Sequence, residues 1–445
     1  MDIAVIGLGK LGSPLAAVLA DKGHRVIGVD LNPAAVAAIN AGRAPVVEPG
    51  LQERIDSAGS RLTATTDFAA AITQTDISFV IVPTPSGADG RFTNRYVADA
   101  IRRIGGALRT TGRYHVVNIT STVMPGSTGG EIRAALEDAS GRKVGEDVGL
   151  TYNPEFIALG SVVRDLLHPD MLLIGQSDQR AGDLLESVYR QTLSRDVPVQ
   201  RMNWVNAELT KIAVNTFVTT KISYANMLAE ICENLPDADV DVVTAALGKD
   251  SRIGAKYLRG ALGYGGPCFP RDNIAFASMA RGLGAAADIA TATDIINQRQ
   301  VDRVVRLVGR LGPPGSAVAV LGLSYKPQTP VVDESQGVMI ARGLAAAGHE
   351  VIVTDPLALE SAGAVLGDTV VAIASAEAAI AAAEVIVITT PAPEFRDLPA
   401  SAFAVRGKRR VVLDCWRILS AEVADVADVV HLGRSFPDLP SSASA

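Results

Sequence analysis

Apolar residues near the start of the chain fall into two rhythms. Residues 3 to 7, IAVIG, are a continuous apolar run, SPLAAVLADKG places its apolar residues at helical spacing, and HRVIGVD is again a short run. Runs bounded by glycine read as buried strands and the spaced pattern reads as a helix, so this segment predicts a β-α-β unit. Further runs, ISFVIVPTP near 77 to 85, YHVVNIT near 114 to 120 and VGLTYNPEF near 148 to 156, alternate with helical segments. That alternation predicts a parallel sheet with helices on both faces. From about 203 to 233 the sequence NWVNAELTKIAVNTFVTTKISYANMLAEICE contains neither Gly nor Pro and steps its apolar residues by three and four, which predicts one long helix. Helical segments continue to about 310, and a block of this kind commonly carries a dimer interface. LGPPGS, residues 311 to 316, is a linker signal. Beyond it AVAVLGLSYK and AAAGHEVIVTD repeat the opening: Gly348-His349-Glu350-Val351 ending at Asp355 mirrors Gly23-His24-Arg25-Val26 ending at Asp30.

These patterns predict an α/β chain of two Rossmann-like parallel-sheet domains joined by a central helical domain with one long helix. The expected boundaries are 1–200, 201–310 and 311–435, with a tail over 436–445, which suits a chain of 445 residues. A composition of 48% hydrophobic and 20% charged residues is that of a globular protein, and a net charge of -7 gives no footprint for nucleic acid. The opening MDIAVIGLGKLG does not have the form of a signal peptide, and AIASAEAAIAAAEVIVITT is interrupted by Glu377 and Glu384, so it reads as a helix and a strand and not as a membrane span. Cys232, Cys268 and Cys415 are odd in number and widely spaced, which disfavours a disulfide framework or a zinc site, and the histidines show no ligand spacing. A cytoplasmic protein without a metal is expected.

Gly7, Gly9 and Gly12 form G-x-G-x-x-G after a strand and at a helix start, and Asp30 ends the next strand. The glycines allow a tight turn and close approach of a pyrophosphate to the helix N-terminus, while Asp30 can accept from ribose hydroxyls and repels a 2′-phosphate. NAD is therefore expected over NADP. The turn of the second repeat lacks this fingerprint, so that domain is expected to bind something other than a dinucleotide pyrophosphate. Lys211 and Asn215 stand at i and i+4 of the long helix and share a face, which is a solvated face on the bland reading. GYGGPCFPRD, residues 263 to 272, is too broken for a helix or strand, and its Cys268 is either a small buried hydrophobe or a nucleophile.

Seven segments in order, GLGKLG, VPTP, NITSTVMPGST, NPEF, NAELTKIAVNTF, DSRIGAKYLRGALGYGGPCFPRD and GLSYKP, resemble the nucleotide-sugar 6-dehydrogenases, the family of UDP-glucose and GDP-mannose dehydrogenases, over nearly the whole chain. The resemblance implies that Cys268 is the covalent nucleophile of a double oxidation, through a thiohemiacetal and a thioester. It implies that Lys211 and Asn215 stabilise the oxyanion at C6, that Glu155 assists proton transfer and thioester hydrolysis, and that Thr122 and Asp272 help place the water and support the Lys-Cys centre. It places the cofactor on Gly7, Leu8, Gly9, Lys10, Leu11, Gly12, Asp30, Thr84 and Thr122. For the substrate it implies Glu155, Phe156, Lys211, Asn215, Tyr257, Tyr264, Gly265 and Lys326, with Arg252 donated across a homodimer, so that both Rossmann-like domains and the helical centre contribute to one cleft.

The chain departs from the family pattern at Pro267 and Arg271, which spare the nucleophile. It departs also at Asp333 and Trp416, where relatives carry arginines, and at Leu159, where many carry an acid; Arg417 follows Trp416. The expected reaction is oxidation of UDP-glucose to UDP-glucuronate, with GDP-mannose or a UDP-N-acetylhexosamine as the alternative substrate. A two-electron β-hydroxyacid dehydrogenase would share the Rossmann unit and a helical Lys/Asn pair without needing Cys268, and an NAD-sensing binding protein would need none of the catalytic set.

Overall fold

The computed structural model describes residues 1–436. The tail expected over 436–445 therefore lies, from 437 onward, outside the described residues. The chain divides into two compact units, Met1–Val214 and Asn215–Ala445.

The first unit is built on an eight-stranded sheet of β1 (Asp2–Ile6), β2 (Arg25–Val29), β3 (Leu62–Thr65), β4 (Ile77–Val80), β5 (Val116–Ile119), β6 (Gly149–Tyr152), β7 (Leu172–Gln176) and β8 (Val199–Met202), in the order β3-β2-β1-β4-β5-β6-β7-β8. The strands are short apolar runs because both faces are covered: β4, β5 and β6 are buried at every position. The pairing is parallel from β3 through β6, but β7 pairs antiparallel with β6 and β8 parallel with β7, so the expected parallel sheet carries a reversed edge. Helix α1 (Gly12–Asp21) returns from β1 to β2, and α2 (Gln179–Thr192), capped by the Asp178 carboxylate on Ala181 N, joins β7 to β8. Strand β1 sits between β2 and β4, so chain connections leave it in opposite directions and open a crevice at its C-terminal end.

The long helix α3 (Trp204–Glu233) begins in the first unit and continues into the second. The second unit adds α4 (Val240–Lys249), α5 (Phe269–Gly282) and α6 (Asp288–Leu311), then a six-stranded, wholly parallel sheet. Its strands are β9 (Ala317–Leu321), β10 (Glu350–Thr354), β11 (Val371–Ala372), β12 (Val385–Ile388), β13 (Val411–Asp414) and β14 (Asp428–His431), in the order β11-β10-β9-β12-β13-β14, with α7 (Gln336–Ala346) following β9. Two parallel-sheet domains and a central helical region with one long helix are thus present. Among the described residues no helix is long and apolar enough to cross a membrane.

The repeat seen in the sequence is also a repeat of one close contact. A Cβ on Gly12 would lie 1.8 Å from the carbonyl oxygen of Gly7, and a Cβ on Gly337 would lie 2.0 Å from that of Gly322. In both domains the helix after the first strand packs against the end of that strand at a distance only glycine permits.

Candidate active site

The crevice at the end of β1 is lined by the glycine turn. Gly7 has φ +100°, and the space around the Cα of Gly9 is open, which leaves room for a ligand against the main chain. Lys10 is exposed, and Leu11 at the N-cap of α1 makes no side-chain cap; Ser13 N donates to Gly9 O and Pro14 has no N–H, so the helix start faces another acceptor through Gly12 N. The Asp30 carboxylate accepts from Leu8 N at 2.6 Å and from Asn32 N at 2.7 Å, which fixes it beside the turn while leaving it half-buried. The Thr84 hydroxyl donates to the Thr122 carbonyl at 2.7 Å, tying the loops after β4 and β5 together. An open Gly9, the helix start at Gly12 and a positioned carboxylate fit a dinucleotide. The second domain differs at the matching acid: Asp355 is buried and accepts from Leu323 N, Ser324 N, Leu357 N and Ala358 N, so its oxygens are committed to its own chain.

Glu155 lies on the segment leaving β6. That segment is held at one end by Asn153, whose N donates to Ile119 O and whose Nδ2 donates to Leu173 O. At the other end Glu48 accepts from Gly160 N and Val162 N. Leu159 packs against the apolar core of the unit where the family pattern has an acid. Lys211 is buried, donates from Nζ to the Glu155 carbonyl at 2.6 Å and stands 4.8 Å from the centre of the Phe156 ring. Burial pushes the Glu155 carboxyl above its ordinary pKa, against the opposing pull of a Tyr189 hydrogen bond and the Lys211 charge. On the same stretch of α3 the buried Glu208 accepts from Gly126 N and Thr128 N and so fixes the loop after β5.

In the second unit Asn215, one turn beyond Lys211 on α3, donates to the buried Asp272 carboxylate at 2.6 Å. Asp272 N in turn donates to the Cys268 carbonyl at 2.8 Å. Cys268 is the N-cap of α5, exposed and in no disulfide, whereas Cys232 and Cys415 are buried. The loop before it is pinned from two sides. Asn297 takes both the N–H and the carbonyl of Tyr264, whose hydroxyl donates to Asp294, and Gly266 N donates to the Asp333 carbonyl at 2.9 Å. Gly266 has φ +83° and a Cβ there would lie 2.5 Å from the Tyr325 ring, so the loop passes Tyr325 only as glycine. Gly265 is buried beside it, and Tyr257 and Tyr264 both meet the Phe269 ring edge-on.

Arg252 is 86% exposed along its side chain and directs its guanidinium to Asp250, on a loop held by Lys221 through the carbonyls of Ile253 and Gly254. Lys326 stands 5.9 Å from the Tyr325 ring centre. The structure therefore groups Lys211, Glu155 and Phe156 in one unit, and Asn215, Asp272 and the Cys268 loop in the other. Arg252 stays in solvent.

The departures have local explanations. Position 333 holds the glycine loop through its main chain, so that contact is indifferent to the side chain. Trp416 donates from Nε1 to Thr389 O, and Arg259 both donates to the Trp416 carbonyl at 2.6 Å and lies 5.7 Å from the ring centre. Arg417 does not stand in for the missing arginine, because it is buried in a bidentate pair with Asp241. Sequence reasoning missed Tyr189, Asn153 and Glu208. Asn153 stood in the quoted NPEF segment, but Tyr189 had only the apolar spacing of a core helix to mark it.

A dinucleotide turn on the parallel part of one sheet, a second sheet that repeats the order of those six strands without that turn, and an exposed cysteine on a pinned glycine loop define an NAD-dependent dehydrogenase. Three domains of the UDP-glucose/GDP-mannose dehydrogenase family match in order: the NAD-binding domain over residues 1–193, the central domain over 205–299 and the UDP-binding domain over 319–421. The chain is 36% identical over 424 residues to a UDP-glucose 6-dehydrogenase of Haloferax volcanii, covering 94% of this chain and 97% of that protein. It is 34% identical to a GDP-mannose 6-dehydrogenase of Pseudomonas putida, over 80% and 81% of the two chains. The solved UDP-glucose dehydrogenase from Pyrobaculum islandicum superimposes with a TM-score of 0.88 at 37% identity, over 97% of this chain and 98% of that one. The chain belongs to the UDP-glucose/GDP-mannose dehydrogenase family.

Proposed function

We propose that this enzyme oxidises the C6 alcohol of UDP-glucose to the carboxylate of UDP-glucuronate, in the cytoplasm and as a homodimer. The observation that carries the reading is Cys268: an exposed thiol on a loop fixed by Asn297 and the Asp333 main chain, one turn before an Asp272 that is bonded to Asn215. NAD, held by the Gly7–Gly12 turn, Asp30, Thr84 and Thr122, supplies the hydride acceptor for each of two oxidations. The Cys268 sulfur adds to the aldehyde carbon and leaves a thiohemiacetal, which becomes a thioester on the second oxidation; water releases the acid and restores the thiol. Lys211 and Asn215 donate to the C6 oxygen as it gains charge, and Glu155 exchanges protons with that oxygen and with the attacking water, which Thr122 and Asp272 help to place. Phe156, Tyr257, Tyr264, Gly265 and Lys326 line the substrate.

Support for a uridine nucleotide comes from the match to the family's UDP-binding domain and from relatives whose names specify UDP-glucose. The Pseudomonas relatives favour GDP-mannose as the second reading. Support for a dimer is the stripe Phe217, Tyr224 and Ile231 on α3, spaced by sevens and exposed, together with the exposed Val242 and Val243 of α4. In such a dimer Arg252 reaches the neighbour's substrate diphosphate.

A panel of UDP-glucose, GDP-mannose and UDP-N-acetylhexosamines with NAD, read by absorbance of the reduced cofactor and by product mass, tests the substrate. UDP-glucose is expected to give the highest kcat/KM and a uronic acid product; a higher value for another sugar nucleotide overturns the assignment. Sedimentation is expected to show a dimer, and mixing Arg252→Ala chains with Lys211→Ala chains to restore activity. No rescue in confirmed mixed dimers removes the cross-subunit role of Arg252.

A further inference from the structure

The proton beside Glu155 can be located from the donors and acceptors around it. Asn153 Nδ2 donates to the Leu173 carbonyl at 2.9 Å, and a carbonyl only accepts, so the amide has one orientation and its Oδ1 faces Tyr189. The Tyr189 hydroxyl oxygen lies 2.5 Å from that Oδ1 and 2.6 Å from Glu155 Oε1. One hydroxyl proton thus faces two oxygens at hydrogen-bond distance. The Asn153 oxygen carries no proton, so without the tyrosine's proton two lone-pair oxygens would stand bare at 2.5 Å. Once that proton is committed to Asn153, the contact to Glu155 is a hydrogen bond only if the carboxyl supplies the hydrogen.

We propose that Tyr189 is a positioning residue for Glu155: it gives its proton to Asn153, accepts one from the Glu155 carboxyl, and so holds Glu155 as a carboxylic acid before substrate arrives. Each donor in the chain Glu155 to Tyr189 to Asn153 to Leu173 is then used once. Burial pushes the Tyr189 hydroxyl well above its ordinary pKa and the Glu155 carboxyl upward, and with the proton on Glu155 the Tyr189 contact adds to that upward push where a hydroxyl donating to a carboxylate would oppose it. The groups that face Glu155 are Tyr189 from α2 and Lys211 from α3, and the Lys211 Nζ bonds to the main-chain carbonyl of Glu155.

The consequence rests on the reaction proposed above. Glu155 enters the cycle as an acid, giving its proton to the oxyanion formed when sulfur adds to the aldehyde. The resulting carboxylate takes that proton back as the second hydride leaves and the thiohemiacetal hydroxyl becomes the thioester carbonyl, which restores the acid.

The test does not depend on the reaction. Infrared difference spectra of wild type minus Glu155→Gln at neutral pH, without substrate, isolate the carbonyl stretch of Glu155 from those of other buried acids such as Glu208 and Glu233. A protonated-carboxyl band is expected. In Tyr189→Phe, which keeps the ring packed edge-on against Phe79, that band is expected to move to the higher frequency of an acid whose proton is not donated. The pH profile for uronic acid formation is expected to shift by about one unit, the scale on which a hydrogen bond to one form of a carboxyl acts. A carboxylate signal alone in the wild-type difference spectrum, or an acid band unmoved by Tyr189→Phe, overturns the proposal. If Tyr189→Phe fails to fold, the wild-type against Glu155→Gln comparison still decides. An acid band in a protein that oxidises no sugar nucleotide would overturn the reaction and leave the proton assignment standing.

Discussion

Replacing Cys268 by Ala separates chemistry from packing. The thiol is exposed and makes no side-chain cap at the start of α5, so truncation removes little buried surface. An exposed substitution of this kind is expected to change stability by no more than about 0.5 kcal/mol. In a unit the size of residues 215–445 that moves Tm by about 1 to 2 °C. NAD binding is expected to be unchanged, since the glycine turn and Asp30 belong to the other compact unit. Loss of a covalent nucleophile acts on a different scale, and conversion of alcohol to acid is expected to fall by about 10⁴-fold or more. The assays are differential scanning calorimetry, NAD titration by fluorescence, and product analysis with counted reduced cofactor. Wild type is expected to form two reduced NAD per sugar acid without free aldehyde. An Ala variant that makes acid near the wild-type rate, or a wild-type ratio of one, refutes the thioester route and favours a two-electron dehydrogenase.

Asp30 is expected to make kcat/KM for NAD exceed that for NADP by about a hundredfold or more, because the 2′-phosphate brings roughly two negative charges against a carboxylate held at the turn; equal efficiencies contradict that role. Gly12→Ala places a Cβ 1.8 Å from the Gly7 carbonyl oxygen, so it is expected to abolish NAD binding and to cost about 1 to 3 kcal/mol, read by titration and by denaturant midpoint. Wild-type affinity in that variant would show that the turn does not carry the cofactor. His115 is buried between the Ser78 hydroxyl and the Thr75 carbonyl, and burial lowers its pKa from 6.5 to about 4. The unfolded chain binds the proton more readily, so stability is lost as pH falls through that window, by about 2 to 3 kcal/mol between about pH 7.5 and about pH 4.5. A His115→Gln variant with the same acid loss as wild type would rule out His115 as its source.

What the sequence made legible was local. The G-x-G-x-x-G turn and the long helix each declare themselves within one stretch of residues and lie where that stretch placed them, but the stretch read as too broken for a helix is a loop only through Cys268: Phe269 to Asp272 form the first turn of α5, with proline in that turn, where a missing N–H costs no helical bond. What it left out depends on contacts between distant positions. The apolar run of β7 marks a strand but carries no sign of direction, so its antiparallel pairing with β6 was not foreseen. Tyr189 gains its role from an oxygen 34 residues away, and the periodicity of its helix describes only the side that packs. The hold of position 333 on Gly266 is a main-chain bond that no side-chain pattern records.

The two domains show how far a shared pattern determines a shared use. Both place a glycine pair at the end of the first strand and an aspartate at the end of the second, and both bring helix and strand to the same close contact. The glycines stand five positions apart in one domain and fifteen in the other, but the donors to the two acids come from matching places beside the first glycine and after the second strand. Leu323 N and Ser324 N turn inward and, with Leu357 N and Ala358 N, occupy the Asp355 carboxylate, which is buried. Asp30 takes only Leu8 N and Asn32 N and keeps a half-exposed edge that can meet a ribose. Two further donors, Ser324 N and Ala358 N, thus turn a ligand acceptor into a loop anchor; where the second domain has Ala358 the first has Pro33, which carries no N–H, and the same element order serves a dinucleotide in one domain while leaving the other to be specialised by its loops.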